Sequence, residues 1–258
     1  MTLSIVENLS ASFEFAKDGL VDHWDRWIIL MLLLGISYII EFGTTFVDTL
    51  SVLFMILLIV SVIASLIGVC IASGYLVKIF RGGEVAPELE GYFEMFIDGI
   101  KLCIIQFVYL FIPIMILSAG ILFAGLGGIA LLATGEVPDA TAVAMGMGIT
   151  GLLLMLGGIV LLIILGLIAT IAGIRFAKTE KLGEGFNFEE IFATIKEIGW
   201  LHYILSYIVF IILVGFLTFL LIMIMEVIPF IGWVPLVIIT PLLFLWQGKF
   251  LENLYSCA

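Results

Sequence analysis

The sequence predicts an all-α integral membrane protein with six transmembrane helices arranged as three hairpins. Of its 258 residues, 64% are apolar and only 12% are charged. Several apolar runs exceed the roughly 18 to 20 residues that cross a bilayer, which excludes a soluble globular fold. An amphipathic pattern occurs three times, each time before a long apolar stretch, and every Lys and Arg falls in alternate connections between these stretches.

The amphipathic pattern is clearest at residues 87–101. Read as a helix, this segment has apolar residues on one face and mainly acidic residues on the other, as an interfacial helix does. Residues 188–196 repeat the pattern, and residues 13–21 do so more faintly. We therefore predict one membrane domain with a pseudo-threefold repeat, in which a cytoplasmic interfacial amphipathic helix precedes each hairpin. The predicted repeat units are about residues 1–77, 78–174 and 175–258.

Local signals place the individual elements. Ser4 and Glu7 have the spacing of a capping box, so the first helix begins there. In the second span, Ala64, Gly68 and Ala72 recur at every fourth position, which lets a neighbouring helix pack closely. Spans three and four have about 30 residues each, or about 45 Å of helix against a core of about 30 Å, so they must tilt, bend or protrude. The predicted spans are about residues 24–42, 50–77, 102–132, 142–174, 201–227 and 231–250.

The basic residues predict the orientation. All 10 lie before span one, between spans two and three, between spans four and five, or at the end of span six. The positive-inside rule then places both termini in the cytoplasm of a multi-pass cell-membrane protein. Acidic residues accompany the basic ones, so we expect no nucleic-acid partner. Membrane lipids, a membrane protein partner or a second copy of the chain are the partners that this composition favours.

Two motifs in the predicted cytoplasmic connections carry a resemblance to a known family. Residues 81–84, Arg-Gly-Gly-Glu, precede the amphipathic segment at residues 87–101 with its Phe-Ile-Asp-Gly. Residues 175–177, Arg-Phe-Ala, precede Phe-Asn-Phe-Glu-Glu-Ile at residues 186–191. Together they resemble the domain of unknown function 4013 family of prokaryotic, largely archaeal, multi-pass membrane proteins. The resemblance implies an all-helical integral membrane protein and supplies no activity, substrate or catalytic residue.

Four polar side chains in the spans are candidate intramembrane sites: Glu41, Gln106, His202 and Glu226. Burying such groups costs several kcal/mol unless they are paired or hydrated, so each is a candidate for an ion or proton path. Each also has a structural interpretation. The two carboxylates lie near the outer ends of their spans and can reach interfacial water, the histidine can anchor its helix at the interface, and the glutamine can bond a neighbouring helix.

The glycines of the fourth span allow two interpretations. Such residues permit close helix packing, or they mark a broken helix of the kind that lines transporter sites. The residues concerned are Gly146, Gly148, Gly151, Gly157 and Gly158.

No motif predicts enzymatic chemistry. His23 and His202 are far apart in the sequence, and Cys70, Cys103 and Cys257 have no paired spacing. We therefore predict no catalytic residue, no metal site, no cofactor and no disulfide.

Two functions are consistent with this pattern. The first is a non-catalytic membrane component: a scaffold, an accessory subunit or a lipid-interacting protein. The alternative is a small-molecule or ion transporter or channel, in which the threefold axis would be a path rather than a packed core.

Overall fold

A computed structural model describes residues 4–44, 47, 51–134, 138–228 and 233–256, and every element in these ranges is helical. The α-helices are α1 (Ile5–Val21), α2 (Trp24–Thr44), α3 (Val52–Phe80), α4 (Tyr92–Thr134), α5 (Pro138–Thr179), α6 (Phe188–Ile198), α7 (Trp200–Val227) and α8 (Trp233–Tyr255), and a 3₁₀ helix (Leu182–Phe186) lies between α5 and α6.

Five of these helices are long and apolar enough to cross a membrane: α3, α4, α5, α7 and α8. This confirms an all-helical chain with several candidate membrane spans. The first predicted span coincides with α2, a helix of 21 residues that is not among the five. Some side chains of α2 lie outside the described residues, so the sixth span stays a prediction, as do the threefold repeat and the three interfacial helices.

The second amphipathic segment differs from the prediction. The helix begins at Tyr92 rather than at residue 87, and it continues without interruption into the membrane span as α4. The preceding connection is irregular because α3 holds it: Tyr75 Oη donates to the carbonyl of Pro87 at 2.8 Å, and Lys78 Nζ donates to the carbonyl of Glu90 at 2.7 Å. These backbone carbonyls are therefore bound by side chains instead of by a helical turn.

The described chain divides into two compact units, unit 1 (Met1–Cys103 and Ile171–Ala258) and unit 2 (Ile104–Thr170). In unit 1, α8 packs against α1, α2, α3, α6 and α7. Its Trp246 ring meets Phe13 of α1 and Phe210 of α7 edge to face, at centroid distances of 5.3 and 5.6 Å. Phe210 also stacks on Phe250 at 4.3 Å. The core of unit 1 thus lies along α8.

Helix α1 is joined to α8 by polar contacts as well as apolar ones. The predicted capping box is present, since Ser4 Oγ accepts from the Glu7 N–H and the Glu7 carboxylate accepts from the Ser4 N–H. Further along α1, Asn8 is buried and its Nδ2 donates to the carbonyl of Phe250 at 3.1 Å. Trp246 Nε1 donates in return to the carbonyl of Leu9 at 3.1 Å. This face of α1 is therefore covered by protein.

The third amphipathic segment forms a separate helix, α6. Asn187 caps its first turn, and Gly199 separates it from α7 with a φ of 92°, which disfavours any other residue. Ile191, Ile195 and Ile198 form its buried face. Helix α6 therefore ends before α7 begins, and the two helices pack against each other.

In unit 2, the parts of α4 and α5 that it contains pack through glycines. A β-carbon on Gly127 would lie 2.6 Å from the backbone nitrogen of Gly148, and one on Gly151 would overlap the backbone of Ala124. Gly157 has open space around it instead. Helix α5 runs without a break through Gly148, Gly151 and Gly157. Two of its glycines, Gly151 and Gly158, face α4.

Candidate functional site

The most concentrated polar chemistry in unit 1 surrounds Glu252, near the end of α8. Its side chain is 6% exposed and accepts from Lys249 at 2.7 Å and from Lys178 at 3.2 Å. Ser256 Oγ donates to the same carboxylate at 2.7 Å. We call these four residues the Glu252 cluster. Lys178 lies at the end of α5, whereas Lys249 and Glu252 lie on α8 and Ser256 directly follows it. The cluster therefore joins the end of α5 to α8.

Lys249 links this cluster to the connection between α3 and α4. Its Nζ donates to the carbonyl of Gly83 at 2.8 Å and lies 5.2 Å from the centre of the Phe15 ring on α1. One ammonium group thus bonds a carboxylate, a backbone carbonyl and an aromatic face. With its positive charge used in these three contacts, Lys249 acts as a joint between α1, α8 and the connection.

A second group of charges extends the network towards α4. Arg81 donates to Asp98 at 2.7 Å and lies 3.5 Å from Glu180. Lys101 bonds the other oxygen of Asp98 at 2.9 Å. The structure therefore brings together charged residues from two connections that the sequence predicted to share one membrane face. The side of the membrane on which they lie remains a prediction.

Arg175 organises the segment between α5 and α6. Its guanidinium donates to Glu184 at 2.7 Å and lies 3.5 Å from Glu190. The hydrogen bond from Arg175 lowers the pKa of Glu184; partial burial opposes the shift, and a hydrogen bond from Asn187 assists it. Glu184 therefore stays ionised into mildly acidic solution and keeps the 3₁₀ helix attached to α5.

A pocket of about 480 Å³ opens beside Lys249 of the Glu252 cluster. Its wall carries the carboxylates of Glu14 and Asp18 on α1 and of Glu84 on the connection before α4. Phe15 contributes apolar surface, and Lys249 is the basic residue in the lining. The surroundings are therefore acidic and suit a positively charged group next to apolar carbon.

Gln106, a predicted intramembrane candidate, lies on α4 in unit 2. Its side-chain Nε2 donates to the carbonyl of Ala169 on α5 at 3.2 Å. Ala169 is fully buried, so this bond lies between the two helices. This is the arrangement of the structural interpretation, in which a glutamine joins two helices.

The other three candidates do not come together with Gln106. His202 is half-buried in the first turn of α7, and Glu226 is exposed near the end of the same helix. The side chain of Glu41 lies outside the described residues. Within the described ranges, no three His, Cys, Asp or Glu side chains form a group that could hold a metal ion.

The predicted helix-packing residues of α3, Ala64, Gly68 and Ala72, differ in how far they are buried in the protein. Ala72 is buried and Ala64 is half-buried. Gly68 is buried, and a β-carbon there would overlap the carbonyl oxygen of Leu33 on α2. The backbones of α2 and α3 therefore approach closely at Gly68.

Sequence reasoning missed the Glu252 cluster. The predicted last span ends at about residue 250, whereas α8 continues to Tyr255. The signal was available, because Lys249, Glu252 and Ser256 have the spacing of one helical face. Asn8 and Ser12 also have this spacing on α1, and both are buried.

Several long apolar helices, with the charged side chains gathered beside their ends, define a multi-pass integral membrane protein. The chain belongs to the DUF4013 family, described as proteins of unknown function, whose model matches residues 56–227. No curated protein and no solved structure matches the chain.

Proposed function

We propose that this protein is a non-catalytic component of the cell membrane, a scaffold or accessory subunit that holds a partner protein at its cytoplasmic face. In this proposal, six spans form three hairpins and both termini are cytoplasmic. The observation that carries the proposal is the use of the polar groups: those of the Glu252 cluster and Gln106 bond other parts of the same chain. Their bonds stabilise an arrangement of helices, which is the role expected of polar groups in a scaffold.

The surfaces of the spans support this proposal. The first half of α3 exposes apolar side chains around most of its circumference, including Leu53, Ile56 and Ile63. Such a surface suits lipid acyl chains or the apolar face of another membrane helix. Membrane lipids therefore belong among the proposed partners, together with a membrane protein or a second copy of the chain.

The acidic pocket provides a place for a partner outside the membrane. Glu14, Asp18 and Glu84 are exposed and would attract a basic side chain of a partner, whose apolar stem could lie against Phe15. We propose that the partner contacts the protein here. A contact of this kind weakens with ionic strength, because exposed charges are screened by salt.

The first test is purification from native membranes in mild detergent, followed by mass spectrometry of the bound molecules. We expect a stoichiometric partner protein that dissociates at high salt and is lost from the double variant Glu14→Gln/Asp18→Asn. The matched control is Glu189→Gln/Glu197→Gln, which removes two exposed carboxylates from α6 and should retain the partner.

A different pair of results would overturn the proposal. If the protein purifies alone and liposomes containing it conduct ions or small solutes in a manner that depends on Gln106 or Glu41, it is a transporter or channel. Retention of the partner by the Glu14→Gln/Asp18→Asn variant would instead place the contact elsewhere on the protein.

A further inference from the structure

Two cysteines that are 33 positions apart in the sequence are neighbours in unit 1. Cys70 lies on α3, and Cys103 lies on the first part of α4. Both are free and half-buried. The Sγ of Cys103 also lies 3.7 Å from the Oγ of Ser73, one helical turn from Cys70.

Two glycines bring these thiols together. A β-carbon on Gly99 would overlap the carbonyl oxygen of Cys70, and one on Gly74 would overlap the carbonyl of Met95. The backbones of α3 and α4 therefore touch at this crossing. Cys103 is one turn beyond Gly99 on the same side of α4, which directs its side chain towards α3. A disulfide requires α-carbons within about 7 Å, and such close helix contacts allow this distance.

We propose that Cys70 and Cys103 are a thiol pair that oxidises reversibly to a disulfide and thereby ties α3 to α4. The thiolate of one cysteine attacks a sulfur of a small disulfide compound and releases one thiol. The second cysteine then attacks the mixed disulfide and releases the other thiol. The two cysteines lose two electrons and two protons, which the small disulfide gains as it is reduced to two thiols.

The surroundings fit a bond that forms under oxidising conditions. In the predicted orientation the pair lies near the cytoplasmic end of the third span, where thiols are kept reduced, so the bond would form only when an oxidant is present. Cys103 is the second residue of the predicted third span, and this position lets small membrane-permeant oxidants reach the pair. The proposal is independent of the partner proposed above, because it concerns the contact between α3 and α4 alone.

The test counts free thiols in the full chain in native membranes. Cys257, which lies outside the described residues, is first replaced by Ser. Membranes are treated with diamide, which oxidises thiol pairs, and the protein is then denatured and labelled with a polyethylene glycol maleimide. We expect two adducts before diamide, none after it, and two again after dithiothreitol. Peptide mass spectrometry of the oxidised protein should show residues 70 and 103 joined, with the loss of two hydrogens.

Matched variants separate this result from general oxidation. The Cys70→Ser variant retains Cys103 and Cys257, and both thiols should still be labelled after diamide. The Cys103→Ser variant retains Cys70 and Cys257 and should give the same result. The proposal is overturned if Cys70 and Cys103 of the Cys257→Ser protein keep both adducts after diamide. A disulfide that joins two chains instead of two helices of one chain would overturn it as well.

Discussion

Replacement of Glu252 by Gln should markedly destabilise unit 1. The glutamine keeps the shape of the side chain but removes the negative charge that Lys178 and Lys249 share. Removal of one partner of a buried ion pair costs about 3–5 kcal/mol, and the 28% exposure of Lys178 reduces this to about 2–4 kcal/mol. At about 2–4 °C per kcal/mol for a chain of this size, the apparent Tm should fall by roughly 5–15 °C.

The assay is thermal denaturation of the detergent-purified protein, followed by the loss of the monodisperse peak in size-exclusion chromatography. Glu189→Gln on α6 is the control, since this carboxylate is exposed and surface changes of this kind stay within about 0.5 kcal/mol. The double variant Lys249→Gln/Glu252→Gln should lose less than the sum of the two single variants, because it leaves one fewer cation unpaired. Equal Tm values for Glu252→Gln and Glu189→Gln would refute this account of the cluster.

Three further predictions concern other parts of the chain. Gly99→Ala should prevent correct folding, because its β-carbon would overlap the facing helix, whereas Gly157→Ala, with open space around it, should give normal yields in a fluorescence-detected chromatography assay. Because the pKa of Glu184 is lowered below its ordinary value of 4.5 in the folded protein, its stabilising effect is present above that pH and lost as the pH falls through the folded pKa. Tm measured between pH 3 and 7 should therefore fall more steeply for the wild type than for Glu184→Gln. Gln106→Leu should lower stability by about 0.5–2 kcal/mol, as expected for one interhelical hydrogen bond, and a complete loss of folded protein would contradict this.

The membrane class and the approximate positions of the long helices could be predicted because bilayer thickness fixes the length of an apolar run. The first helix cap was equally predictable, because Ser4 and Glu7 act within a single turn. Such signals need no knowledge of the tertiary structure. The predicted start of α4 at residue 87 was wrong, because the carbonyl of Pro87 accepts a hydrogen bond from Tyr75. This contact depends on how α3 packs.

The polar contacts between distant segments could not be predicted from helical patterns. Asn8 and Phe250 are 242 positions apart, and nothing in the local sequence of either one specifies the other. The same holds for Cys70 and Cys103. Their spacing matches no paired motif, and the close approach of α4 to α3 at Gly99 brings them near each other. Sequence patterns indicate which face of a helix is polar, but the choice of partner depends on the packing of the whole unit.

The dependence of α1 on α8 has a consequence for biosynthesis. A ribosome that adds about 5–20 residues per second needs roughly 12–48 s to proceed from Asn8 to Phe250. During this interval the buried amide of Asn8 lacks its final acceptor, and the α1 face that later meets Trp246 is uncovered. Until the last helix arrives, α1 must therefore be covered by the membrane surface, by the insertion machinery or by a chaperone. Folding of unit 1 is completed only after nearly all of its residues have left the ribosome.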